Sequence, residues 1–184
     1  MTGNKRSAAG ILIDENVGLI DQAVELITSI DPALYANNDH ALFESGVGRH
    51  LRHILDFYER FLDGRRSFVD YNARRRDERV ESDPTYAAAR ARAVAERLRE
   101  IEADATAPAP GGAARLEVSC EVFDEDGGGL RAASSVEREL SALASHTVHH
   151  YAIIALLLRA QDESVPSDFG VAPSTLRHRA SDGS

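Results

Sequence analysis

The stretch SSVERELSALASHTVHHYAIIALLLR, residues 134–159, decides the fold. Ser134 followed by Glu137 has the spacing of a capping box, in which a hydroxyl and a carboxylate satisfy the first free N–H groups of a helix. Beyond it, apolar residues recur with helical spacing and no Gly or Pro interrupts them as far as Arg159, so the pattern predicts the longest helix of the chain. On a wheel of about 100° per residue, His146 and His150 fall in the arc of Leu143, Ile154 and Leu157, and His149 points to a flank. Burying two imidazoles costs the hydration of their polar nitrogens, and one shared metal ion would satisfy a nitrogen on each. Residues four apart stack on one helix face, so His146 and His150 form a pair able to hold a single ion.

A third histidine from a facing helix would complete a facial set. Ser45-Gly46 opens a helix expected to run through about Leu62, with an apolar stripe of Val47, Leu51, Ile54, Tyr58 and Phe61. It carries His50 and His53 on the same side of that stripe, and the wheel does not choose between them. Three neutral imidazoles leave coordination positions open for water or substrate, whereas a structural zinc site is normally closed by four ligands rich in cysteine. The chain has one cysteine, Cys120. Imidazole ligands suit Zn, Ni, Fe or Cu. Thr147 stands where a HExxH metalloprotease has its glutamate, which excludes that motif. His40, in an expected loop, and His178, near the tail end, are read as solvated or as local hydrogen-bond partners rather than ligands.

Two more helices are expected. Ile13, Val17, Ile20, Val24 and Ile27 give residues 11–30 a helical stripe, ended by Asp31-Pro32. Ala33 to Glu44 is expected as a loop, and residues 63–83 as a polar connection. Asp83-Pro84 caps a third helix reaching Asp104. A linker of Pro, Ala and Gly follows at 107–112, then Leu116 to Val122 alternates like a short strand, and Asp126 to Gly129 turns the chain into a small β-hairpin. The tail from Asp162 has apolar residues without a period and is expected to pack extended. Four helices with one apolar stripe each bury it most simply as an all-α four-helix bundle, here with a small β-hairpin between helices three and four. Residues 11–180 are expected to form that single domain, and residues 1–10 to be frayed.

Composition bounds the function. With 21 Lys and Arg against 30 Asp and Glu the net charge is −9, which argues against nucleic acid or an anionic membrane as partner. Met1 to Gly10 has no apolar core of signal-peptide length, and the chain has no run of the roughly 18 uninterrupted apolar residues of a membrane span. With its single cysteine, the chain is expected to be cytoplasmic.

The His-Leu-x-His at 50–53 and the His-x-x-x-His at 146–150 together resemble the DinB/YfiT-like superfamily of metal-binding four-helix bundles, across most of the chain. That resemblance implies a divalent metal ion (Zn, Ni or Fe) held by one histidine of the second helix and two of the fourth, which by position are His53, His146 and His150. It also selects His53 over His50, because the second histidine of the pair is the ligand in the related domains of ergothioneine-type sulfoxide synthases. Those enzymes usually carry a glutamate where this chain has Ala152 and work with a second catalytic domain, so their reaction is not carried over. The stretches Val69 to Asp77, Ser145 to Tyr151 and Asp168 to Thr175 look like a bacterial subgroup of DinB-like proteins. Relatives that use low-molecular-weight thiols such as bacillithiol or mycothiol make a thiol or small electrophile the expected substrate class, and related bundles often pair, which implies a homodimer.

Two functions are weighed. In the first, the metal activates water or a thiol on a small-molecule substrate, as a hydrolase or S-transferase would, with Tyr71, Asp70 and one of Arg74 to Arg76 steering substrate or protons. In the second, the metal merely ties two helices in a non-catalytic, stress-related interaction or sensor domain. A cavity with convergent polar groups beside the histidines favours the first.

Overall fold

A computed structural model describes residues 7–38, 45–104, 115–123 and 129–182. Among the described residues the chain is mostly helical, with one small three-stranded sheet. Its first helix, α1 (Ala8–Ser29), starts earlier than its apolar stripe because the Ser7 side chain accepts from the Gly10 N–H at 3.0 Å. Residues 8–10, expected to be frayed, are therefore helical, and residues 1–6 lie outside the described part. Ile13, Ile20 and Ala23 are 1% exposed or less, so the stripe read from the sequence is the buried face.

Asp31-Pro32 ends α1 and begins the short α2 (Pro32–Ala36), the Asp31 side chain accepting from Ala33 N–H at 2.7 Å. The loop expected at 33–44 is corrected over its first residues, because a five-residue helix is too short to show a period; residues 39–44, with His40, are outside the described residues. Helix α3 (Val47–Gly64) buries Val47, Leu51, Ile54, Tyr58 and Phe61, the expected stripe, each at 1% exposure or less. After it come strand β1 (Phe68–Asp70), the short helix α4 (Glu78–Ser82) and helix α5 (Pro84–Asp104). A Cβ on Gly48 would lie 2.1 Å from the Glu81 carbonyl oxygen, so the glycine lets α4 close onto α3.

Strand β2 (Arg115–Phe123) pairs antiparallel with β3 (Gly129–Ser135), Val118 opposite Ala132, so the hairpin forms within the chain. The expected turn lies largely in residues 124–128, outside the described part. Strand β1, expected as polar connection, adds to β2 in parallel with Val69 opposite Val118. A three-residue strand is specified by its partner more than by its own sequence. β3 runs directly into helix α6 (Val136–Arg159), and this moves the cap: Ser135, not Ser134, accepts from Arg138 N–H, at 3.3 Å.

The four long helices form a ring of neighbours, α1 against α5 and α6, and α3 against α5 and α6. Between α1, α3 and α6 runs a buried polar strut. Asn16 donates to the Leu140 carbonyl at 3.0 Å and accepts from the Tyr58 hydroxyl at 2.6 Å, and the Thr147 hydroxyl lies 3.2 Å from that of Tyr58. All three residues are fully buried, so a slip of α6 against α3 would strand several polar groups. By length and mean hydropathy α6 could cross a membrane, but 44% of that window is buried, its apolar face packs on α1 and α3, and Glu139 and three histidines interrupt it.

The tail does not stay extended. After Phe169, which stacks on Tyr151 with centroids 4.5 Å apart, residues Pro173–Asp182 form helix α7. Gly170 enables the turn, with φ +72° and a virtual Cβ only 2.7 Å from the Ala152 nitrogen. α7 has one large apolar side chain, Leu176, between Pro173 and Asp182, and so had no apolar stripe to announce it.

Candidate metal centre

Helices α3 and α6 run antiparallel through the site, which sets the order of ring contacts. The His50 ring meets His150, His53 meets both His150 and His146, and Phe57 meets His146. His53 is thus the residue of α3 level with both histidines of α6. His146 Nε2 lies 3.1 Å from His53 Nε2 and 3.1 Å from His150 Nε2. One candidate ligand atom from each of the three falls within 4.8 Å of the others.

Hydrogen bonding alone explains this cluster poorly. A neutral ring nitrogen carries either one hydrogen or one lone pair, so His146 Nε2 cannot donate to one neighbour while accepting from the other. A common ion resolves the conflict, since each nitrogen then turns a lone pair toward it. With metal–nitrogen distances of about 2.0–2.1 Å, a separation of 3.1 Å corresponds to an angle of about 100° at the ion, between octahedral and tetrahedral values.

The electrostatics keep the rings of His53, His150 and His50 neutral. Burial first, then the neighbouring His146, Arg74, Arg52 and His50, lower the His53 pKa to about 3. Burial, then His146, His53, His50 and His149, lower that of His150 to about 3 as well. His50 is also lowered, by burial and then by His149. Neutral imidazole is the form that binds a metal.

Outside the triad, His50 Nδ1 lies 3.0 Å from His150 Nδ1. A neutral His150 that offers Nε2 to an ion carries its hydrogen on Nδ1, so it would donate to His50 and be held in that tautomer. Arg74 is placed differently. Its Nη1 donates to His53 Nδ1 at 2.8 Å, and its guanidinium lies 5.2 Å from the centroid of Phe57. Arginine has only donors, so a neutral His53 accepting at Nδ1 carries its hydrogen on Nε2, the atom an ion needs bare. The triad fits a metal, and the Arg74 contact and occupation of a neutral His53 are alternatives.

Of the three adjacent arginines, Arg74 is therefore the one at the site; Arg75 and Arg76 are exposed. Tyr71 is 6% exposed and stacks on Phe57 at 5.2 Å, one ring removed from His146 and His53. Asp70 accepts from the Asn72 N–H at 3.0 Å and shapes the turn after β1. His149 is exposed on the flank, as the wheel placed it, and His178 is exposed on α7.

The sequence reading missed Glu139. This carboxylate is 2% exposed and accepts from the Tyr71 hydroxyl at 2.8 Å, the Ser134 hydroxyl at 2.5 Å and Arg138 at 3.2 Å. The signal was present, since Glu139, Leu143, His146 and His150 recur at four, three and four residues on one face of α6. Phe57, Tyr71, Arg138, Glu139, Ala142, Leu143 and His146 line a cavity of about 230 Å³ that reaches the triad.

Fold and site thus define a mostly helical protein with a three-histidine group able to hold a metal ion. No family model and no solved structure matches the chain. Part of it is similar to FK506-binding protein 5 of Rhizopus delemar, 41% identical over 63 residues, which are 34% of this chain and 16% of that protein. The chain matches about a sixth of that curated relative's length, too little to show a family. The functional reading rests on the histidine geometry.

Proposed function

We propose that this chain is a DinB-like four-helix-bundle protein, working in the cytoplasm, that holds a divalent ion of Zn, Ni or Fe on His53, His146 and His150. Its reaction would be of hydrolase or thiol S-transferase type on a small molecule. The observation that carries the reading is the convergence of three Nε2 atoms from two helices, two of the separations being 3.1 Å. The ring of four long helices and the hairpin between α5 and α6 support the bundle assignment. When bound, the ion supplies Lewis acidity and lowers the pKa of a water or thiol toward neutrality.

The chain's own residues do the rest. His50 orients His150 through the Nδ1 contact. Phe57, packed on the rings of His53 and His146, keeps water from that side of the site. Arg74, once released from His53, is a cation within reach of an anionic group, and Glu139 holds the Tyr71 hydroxyl in one orientation. The cavity at His146 favours this reading over a purely structural tie between α3 and α6, which needs no such space.

The test is cobalt substitution. Protein loaded with cobalt(II) should develop a thiolate charge-transfer band when a small thiol is added, and His150→Ala should abolish it. A chain that takes up no cobalt, or a band that survives His150→Ala unchanged, would overturn the proposal.

A further inference from the structure

The cavity beside the triad has a definite shape and polarity. One wall is α6, along which Glu139 precedes His146 by seven residues, about 10 Å of helix. Phe57 of α3 and Tyr71, directly after β1, give it an aromatic lining, and Ala142 and Leu143 lie on α6 between the two ends. One end is therefore the candidate metal ligand His146, the middle is apolar, and the far end is Arg138 with Glu139.

That far end presents a cation. Glu139 already accepts from Tyr71, Ser134 and Arg138, which uses most of its acceptor capacity and leaves it the role of fixing its neighbours. Arg138 meets it through Nη1 at 3.2 Å and keeps a side chain 69% exposed, with further N–H donors on its guanidinium fork. The geometry points to a substrate that is an aryl or alkyl carboxylate, with its carboxylate on Arg138, its apolar body between Phe57 or Tyr71 and Ala142 or Leu143, and its reactive end at His146. The placement of the reactive end rests on the metal reading above; the pocket and its preference for an anionic tail do not. The apolar middle disfavours a sugar-like body, which would lose its hydration there without compensation.

The test uses 4-methylbenzoate as probe, with 4-methylbenzylammonium as its charge-reversed counterpart, followed through the backbone amide resonances of the full, metal-free chain. The expected result is saturable shifts at Tyr71, Ala142 and Leu143, with the anion bound at least about tenfold more tightly than the cation, the scale of one charge-assisted hydrogen bond. Arg138→Gln, at a largely exposed side chain, should remove that preference, and Ala142→Phe should block both probes. Shifts confined to another region, or equal affinity for the two probes, overturn the proposal. In cobalt(II)-loaded protein the methyl protons should broaden more than the ring protons beside the carboxylate; equal or reversed broadening overturns the orientation. A chain that takes up no cobalt sinks the metal reading, and the amide map still decides the pocket.

Discussion

Arg74→Ala is predicted to tighten metal binding, the reverse of what removing a neighbour of a metal ligand usually does. The Arg74 guanidinium sits 2.8 Å from His53 Nδ1 and can only donate. A neutral His53 in that contact has its hydrogen on Nε2, so loading an ion there costs the Arg74 hydrogen bond. A hydrogen bond to a charged group is worth about 1.5–3 kcal/mol, and the lower end applies because both side chains are only half-buried. About 1.4 kcal/mol is tenfold in affinity, and the guanidinium's repulsion of a cation has the same sign. Zinc affinity, measured by competition with a chromogenic chelator at constant pH and ionic strength, should therefore rise about tenfold in the variant. Arg75→Ala, on an exposed side chain, is the matched control and should change little. An unchanged or weakened affinity in Arg74→Ala would refute the reasoning; weakening would mean that Arg74 stays on His53 and stabilises it as imidazolate.

Other consequences are as direct. His50→Ala should weaken metal binding by about 10–100-fold without abolishing it, as loss of an orienting partner does, and an affinity equal to wild type would remove His50 from the site. Tyr58→Phe strands the Asn16 side-chain oxygen Oδ1 in a fully buried place, which should cost about 1–3 kcal/mol in denaturant unfolding; a loss under about 0.5 kcal/mol would show that the strut carries no weight. Metal-free protein should lose stability on acidification. His53 and His150 are lowered to about 3 when folded, against 6.5 for the free side chain. Between those values the unfolded chain binds more protons, so stability is fully present above the window and falls as pH drops through it, by at most about 1.4 kcal/mol per pH unit for each histidine. Thermal melts that do not move between neutral pH and the acid end of that window would contradict the neutral state of these half-buried rings.

How much of this was legible in the sequence depends on whether local periodicity or long-range pairing specified it. The stripes of α1, α3 and α6 were readable because each covers several turns, and with them came His146 and His150 on one face. His53 and His50 lie only one turn apart, and what separates them is their level along α6, a tertiary fact. The resemblance chose His53, and the antiparallel crossing gives the physical reason. β1 was missed because its pairing with β2 joins residues far apart in sequence, and the cap moved from Ser134 to Ser135 because β3 enters α6 without a loop. Glu139 was read as part of a helix rather than of a site because its meaning comes from Tyr71, which β1 delivers from elsewhere in the chain.

The central claim is that His53, His146 and His150 together hold one divalent ion. Metal content and zinc affinity, measured on wild type, His53→Ala, His146→Ala, His150→Ala and His50→Ala prepared alike, test it most directly. The account predicts one ion per chain in wild type, loss of binding in the first three variants and weakened binding in the fourth. Full occupancy in any one of the three triad variants would contradict it.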